Sequence, residues 1–212
     1  MVARQLRRRG IEDERVLAAM SAVPRELFVA ERLRGRAYAD SALPIGEQQT
    51  ISQPWIVAAI CQALRLEGSE TVLEIGTGSG YSTAVLARLA RRVVSVERFA
   101  SLAEEARLRL AELGVANVDV LVGDGTRGVP ERAPYEAIAV HATAPAPPRT
   151  LLEQLTDGGR LVAPIAARDS DMLSLFERGS GGYERRILAP CRFVPLLGQE
   201  GFGPPEASAP AR

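Results

Sequence analysis

Val72-Leu73-Glu74-Ile75-Gly76-Thr77-Gly78-Ser79-Gly80 is an apolar run that breaks into three alternating glycines, and this break decides the fold. Glycine lacks a Cβ, so the chain can turn sharply off a strand there and expose backbone N–H groups to a ligand at the start of the next helix. The stretch predicts a nucleotide-like cofactor. Its spacing is G-x-G-x-G, whereas the dinucleotide fingerprint is G-x-G-x-x-G, whose last glycine lets helix and strand close around a pyrophosphate. A nicotinamide oxidoreductase is therefore disfavoured.

Downstream, a helix read over Tyr81 to Ala90 leads into Arg92-Val93-Val94-Ser95-Val96-Glu97, an apolar strand ending in a carboxylate after the span of one βαβ unit. Glu97 can sit beside the glycine loop and accept both hydroxyls of a ribose. A third strand, Val118 to Val122, ends in Gly123-Asp124-Gly125. Asp124 is read either as an acceptor for an exocyclic amine such as that of adenine or as a plain Asp-Gly turn. With Glu74 just ahead of the glycines, the series resembles the cofactor motifs of S-adenosylmethionine-dependent methyltransferases of the Rossmann-like class.

The 212 residues, 46% of them hydrophobic, suffice for one three-layer α/β domain and fall short of two. The 26 basic residues are all arginine and balance 26 acidic ones, so no global field draws the chain to nucleic acid or anionic membrane. Arg7-Arg8-Arg9 adjoins Glu12, Asp13 and Glu14 and reads as a solvated helix end. No apolar run approaches the ~20 residues of a membrane span and no signal-peptide core opens the chain, which predicts a cytoplasmic protein. Cys61 and Cys191 are isolated and His141 is the only histidine, so no metal site is expected; both cysteines read as core.

The chain divides into an N-terminal helical cap with an active-site loop (1–66), a cofactor-binding core with a C-terminal hairpin (67–198) and a disordered tail (199–212). Helical spacing covers Ile11 to Met20, a proline-started turn follows at Val23 to Phe28, and a polar loop spans Tyr38 to Pro54. An apolar stripe then marks a helix over Trp55 to Leu66. Further helices are expected over Ser101 to Leu113 and Pro148 to Leu155, and strands over Glu136 to His141 and Arg160 to Ile165. The alternation predicts a doubly wound, mostly parallel sheet. Met172 to Arg178 and Tyr183 to Ala189 flank Gly179-Ser180-Gly181-Gly182 and predict a closing antiparallel hairpin.

A closer resemblance lies in Val23 to Val29, Tyr38-Ala39-Asp40, Ala42 to Gly46, Gln49-Thr50-Ile51-Ser52-Gln53-Pro54, Leu73 to Gly80, Val122 to Gly125 and Arg192-Phe193-Val194-Pro195-Leu196. These segments, in this order, resemble the protein-L-isoaspartate O-methyltransferases over roughly Leu6 to Leu197. The resemblance implies methyl transfer from S-adenosyl-L-methionine to the α-carboxylate of L-isoaspartyl residues in damaged proteins and peptides, by a monomer that uses no metal. It implies Ser52 at the transfer centre and cofactor contacts at Gln48, Thr50, Glu74, Gly76, Thr77, Gly78, Ser79, Glu97, Asp124 and Gly125. Substrate contacts are implied at Ile51, His141, Ala142, Thr143 and Val194.

The residue types suit that reaction, because an α-carboxylate with a pKa of ~3.3 to 3.7 is already ionised at neutral pH and needs no general base. Ser52 is read two ways, as the hydroxyl that orients this carboxylate and as an N-cap for the Trp55 helix. Two departures from the family pattern stand out: His141, where small residues are usual, and Leu197, where threonine is common. They leave room for an alternative, a related O-methyltransferase acting on a carboxylate of a dedicated peptide or small molecule. A non-catalytic binding module is disfavoured by the retention of Ser52, Glu97 and Asp124.

Overall fold

The computed structural model describes residues 1–203. Five parallel strands form the core of the sheet: β3 (Thr71–Ile75), β4 (Arg92–Glu97), β5 (Val118–Val122), β6 (Tyr135–Val140) and the long β7 (Leu155–Ile165). The antiparallel β8 (Asp171–Gly179) and β9 (Gly182–Cys191) extend β7, giving the order β5-β4-β3-β6-β7-β8-β9. The expected hairpin is present, with its turn at Ser180-Gly181.

Strands buried on both faces read as continuous apolar runs, and alternate residues of one strand then belong to different cores. Val72, Val93, Ala137, Ala139 and Val162 face one apolar cluster, shared with α1 (Glu14–Ala22), α2 (Pro54–Leu64), α3 (Tyr81–Ala87) and α4 (Ala100–Glu112). Leu73, Ile75, Val94, Val96, Ile138 and Val140 face the other, closed by Val129, Tyr135 and the short α5 (Arg149–Glu153). The N-terminal cap thus shares one of the two outer layers with α3 and α4.

Several boundaries differ from the sequence reading. α3 stops at Ala87 rather than Ala90, because Arg88 to Ala90 turn to hand the chain to β4. β7 begins at Leu155, five residues early, since Leu155 pairs with Tyr135 across an irregularity in the ladder. The proline-started turn at Arg25–Phe28 is a 3-10 turn, and the loop before α2 contains a small antiparallel pair, β1 (Leu43–Pro44) with β2 (Thr50–Ile51). Cys61 is buried as expected, while Cys191 is only half-buried on the terminal strand. The tail is ordered by hydrogen bonds at its start: Phe202 N donates to Leu196 O at 2.7 Å and Gln199 N to Asp124 Oδ2 at 2.9 Å. The rest of the expected disordered tail, 204–212, lies outside the described residues.

Candidate active site

In an open parallel sheet, ligands bind beyond the carboxyl ends of the strands where the order reverses. Here that point is β3, whose chain leaves toward β4 while β6 comes in on its other side. Gly76 N donates to Val96 O at 2.8 Å, so the turn off β3 is tied to the end of β4. Gly76, Gly78 and Gly80 have φ of 92°, 54° and 90°, the left-handed region that favours glycine. A Cβ on Gly80 would also press to 3.3 Å from Ala106 of α4.

Glu97, almost fully buried at the end of β4, accepts from Gly78 N at 2.9 Å through Oε2 and from Phe99 N at 3.0 Å through Oε1. Each carboxylate oxygen keeps a further lone pair, enough for a vicinal pair of hydroxyls. The far edge is Gly125, where a Cβ would lie 2.5 Å from Ile75 Cγ2, so the backbone packs closer than any side chain permits. Glycine loop, carboxylate and Gly125 line one cavity with Thr77, Ser79, Thr50, Ile51, Ser52, His141, Ala142 and Val194. A glycine loop, a carboxylate with lone pairs to spare and a close backbone edge have the chemistry that the nucleoside part of S-adenosylmethionine requires.

Four expected site residues sit elsewhere. Gln48 is exposed in a turn with φ of 57°, and its neighbour Gln49 lines the cavity instead. Glu74 lies under the loop: fully buried, it accepts from Thr83 Oγ1 at 2.5 Å and Ser95 Oγ at 2.6 Å, and Ser95 also meets Thr77 at 2.5 Å. Its role in the structure is to hold the loop from beneath. Asp124 is drawn into a turn, the second of its two readings. Its Oδ1 accepts from Thr126 N and Oγ1, and its Oδ2 accepts from Gln199 N. Burial alone would raise its pKa, but these bonds hold the carboxyl below its ordinary value. Thr143 is buried outside the cavity, with its N–H on Val194 O and its C=O on Leu196 N, both at 2.8 Å. The Thr143 N–H is therefore engaged within the chain, and its C=O already accepts one of the two bonds it can take.

His141 follows β6 and sits against the glycine loop. Its Nε2 lies 2.8 Å from Ser82 Oγ and 3.2 Å from Glu74 Oε1, and its Cβ stands where a Cβ on Gly76 would touch it at 3.4 Å. Ser82 had no signal in the sequence beyond its place in a helix.

Ser52 is half-exposed in the cavity wall. The helix-cap reading fails for it: Trp55 N donates to Asp40 Oδ1 at 3.3 Å, so α2 is capped from the preceding loop. What fixes Ser52 is Arg25, fully buried, whose Nη2 donates to Ser52 O at 2.7 Å and whose Nε donates to Ala37 O at 2.7 Å. Its guanidinium lies 4.6 Å above the Tyr81 ring, itself in the cavity wall, and desolvation lowers its pKa. Asp171 does similar work across the cavity, accepting from Thr143 Oγ1 at 2.7 Å and Phe193 N at 3.1 Å. Sequence reasoning missed both, since each acts through contacts distant in the chain.

Comparison with known proteins agrees with this geometry. The chain matches the family model Protein-L-isoaspartate(D-aspartate) O-methyltransferase (PCMT) over residues 1–201. It is 51% identical to a protein-L-isoaspartate O-methyltransferase of Rhodopseudomonas palustris, covering 97% of this chain and 95% of the relative. It is 53% identical to one of Methanoculleus marisnigri, covering 95% and 92%. A solved protein-L-isoaspartate O-methyltransferase superposes with a TM-score of 0.82 at 32% identity, over 92% of this chain and 64% of that longer one. A Plasmodium falciparum protein in complex with S-adenosyl-L-homocysteine shares the fold, with a TM-score of 0.77 at 24% identity over 90% and 94% of the two chains. The chain belongs to the protein-L-isoaspartate(D-aspartate) O-methyltransferase family.

Proposed function

We propose that Ser52 presents the substrate carboxylate for methyl transfer, and that the cavity between the glycine loop and Val194 is where the reaction takes place. The enzyme is a repair methyltransferase that moves a methyl group from S-adenosylmethionine to the α-carboxylate of L-isoaspartyl residues. When bound, the cofactor supplies a methyl group activated by a sulfonium. Gly76, Thr77, Gly78 and Ser79 would hold its amino-acid end, Glu97 its ribose and Gly125 the edge of its base. The remaining work falls to positioning and exclusion of water, a contribution that reaches several kcal/mol in well-oriented systems.

The observation that carries this reading is the Ser52 hydroxyl in the cavity wall, with its helix-cap role filled by Asp40. Donating to one carboxylate oxygen would leave the other aligned with the methyl group. His141 and Ala142 stand on the substrate side, as does the Val194 amide, which lies outside the Thr143 ladder. The working form is a cytoplasmic monomer that acts on proteins and peptides and does not engage nucleic acid or membrane. Balanced charge supports this part, and no helix among the described residues is long and apolar enough to cross a membrane.

The test is methyl transfer to paired peptides that differ only in an Asp or isoAsp linkage. In isoaspartate the carboxylate is attached directly to Cα; in aspartate a methylene intervenes and the backbone leaves in another direction. That displacement exceeds what an in-line geometry tolerates. Strong selectivity for isoAsp is expected, and equal methylation of both would refute the assignment.

A further inference from the structure

A second cleft opens on the other side of the Ser52 loop. It shares Thr50 and Ser52 with the cofactor cavity, and its other lining residues include Trp55, Phe193, Arg9 and Arg192. Its volume is about 220 Å³. In-line transfer requires the nucleophile to reach the methyl group from the side opposite the sulfur. A peptide whose carboxylate meets Ser52 from there has this cleft beside its neighbouring residue.

We propose that the cleft is a subsite for the residue flanking the isoaspartyl residue, and that it favours an acidic side chain. The inference rests on the isoaspartyl reading and adds a charge preference to it. Trp55 and Phe193 offer apolar walls. No aspartate or glutamate lines the cleft. Arg9 is neutralised by an ion pair with Asp40, while its guanidinium stacks 4.2 Å from the Trp55 ring. Asp40 also accepts from Gln53 Nε2 at 2.8 Å and from Trp55 N, which fixes this wall. Outside the cleft, next to Phe193, the Asp171 carboxylate is committed to Thr143 Oγ1 and Phe193 N. Arg192 is exposed, and among the described residues no carboxylate lies within ion-pair reach of it. Among the described residues Arg192 is thus the cation of this cleft that no carboxylate pairs.

The experiment compares KM for isoaspartyl peptides carrying Glu, Gln or Lys next to the isoaspartyl residue, on each side in turn. For wild type, KM should rise from Glu to Gln to Lys on one side, by about two- to fivefold between the extremes, the scale of an exposed ion pair. The spread should shrink as salt is raised. R192Q should flatten the order and R192E invert it, with S-adenosylhomocysteine affinity unchanged in both. Equal KM across the series, or an order that survives R192E, would overturn the proposal while leaving the repair activity standing. Absence of methylation on every isoaspartyl peptide would sink both.

Discussion

Arg25 Nη2 donates to the carbonyl of Ser52 at 2.7 Å, fastening the 3-10 turn at Arg25–Phe28 to the Ser52 loop in the cavity wall. Removing the guanidinium leaves the Ser52 and Ala37 carbonyls without it, at a cost of about 1–3 kcal/mol for each buried group left unsatisfied. Arg25→Met should lower both melting temperature and transfer rate. Arg25→Lys keeps the charge without the fork, so it should recover stability more than rate. Thermal melts beside initial rates check this, and unchanged rates in both variants would separate Arg25 from the site.

Ser52→Ala should slow transfer by about tenfold to a hundredfold, the scale of one hydrogen bond felt mainly in the transition state. Because Asp40 caps α2, the same variant should melt with wild type, whereas Asp40→Ala should lose about 0.5–2 kcal/mol of stability. A Ser52→Ala protein that melts early would restore the capping role.

Glu97→Ala should weaken S-adenosylhomocysteine binding by ~1.5–3 kcal/mol, the range for hydrogen bonds to a charged group. Calorimetry reads it directly. Wild-type affinity in the variant would remove the ribose assignment.

Asp124 gives a pH dependence whose sign follows from its depressed pKa. The carboxyl is held below its ordinary value by Gln199 N and Thr126 against the opposing effect of burial. Its stabilising contribution is therefore complete above the unfolded value of ~3.9 and is lost as pH falls through the folded value. Asp124→Asn should flatten that part of the acid limb of a stability profile and leave the profile above pH ~6 parallel to wild type. An unchanged acid limb would show that the turn does not depend on the charge.

The sheet was legible in the sequence because parallel strands buried on both faces must be apolar throughout, as Leu73, Val94 and Ile138 are. Glu97 was legible for the same reason: a carboxylate closing such a strand is conspicuous. The differences between sequence reading and structure share a physical origin. Asp124 and Glu74 are acids near a glycine, and sequence position alone does not say whether a carboxylate faces a ligand or its own backbone. Arg25 and Asp171 left no local trace, since a buried side chain that fastens one distant loop to another is visible only once both loops are placed. Ser52 was ambiguous until Asp40 was seen to reach α2 from twelve residues before Ser52 in the chain.

The chain order puts the glycine loop and His141 in the middle of the chain and the remaining cavity wall on either side of it, with Ser52 ahead of the seven-stranded sheet and Val194 behind it. During synthesis the glycine loop and Glu97 emerge long before the segment from Arg192 to Leu197. A partly made chain can have its nucleotide cradle in place while the substrate side stands open to water. The segment behind β9 therefore closes the cavity last, and a chain clipped there should lose turnover together with the bond from Gln199 N that steadies the Asp124 turn.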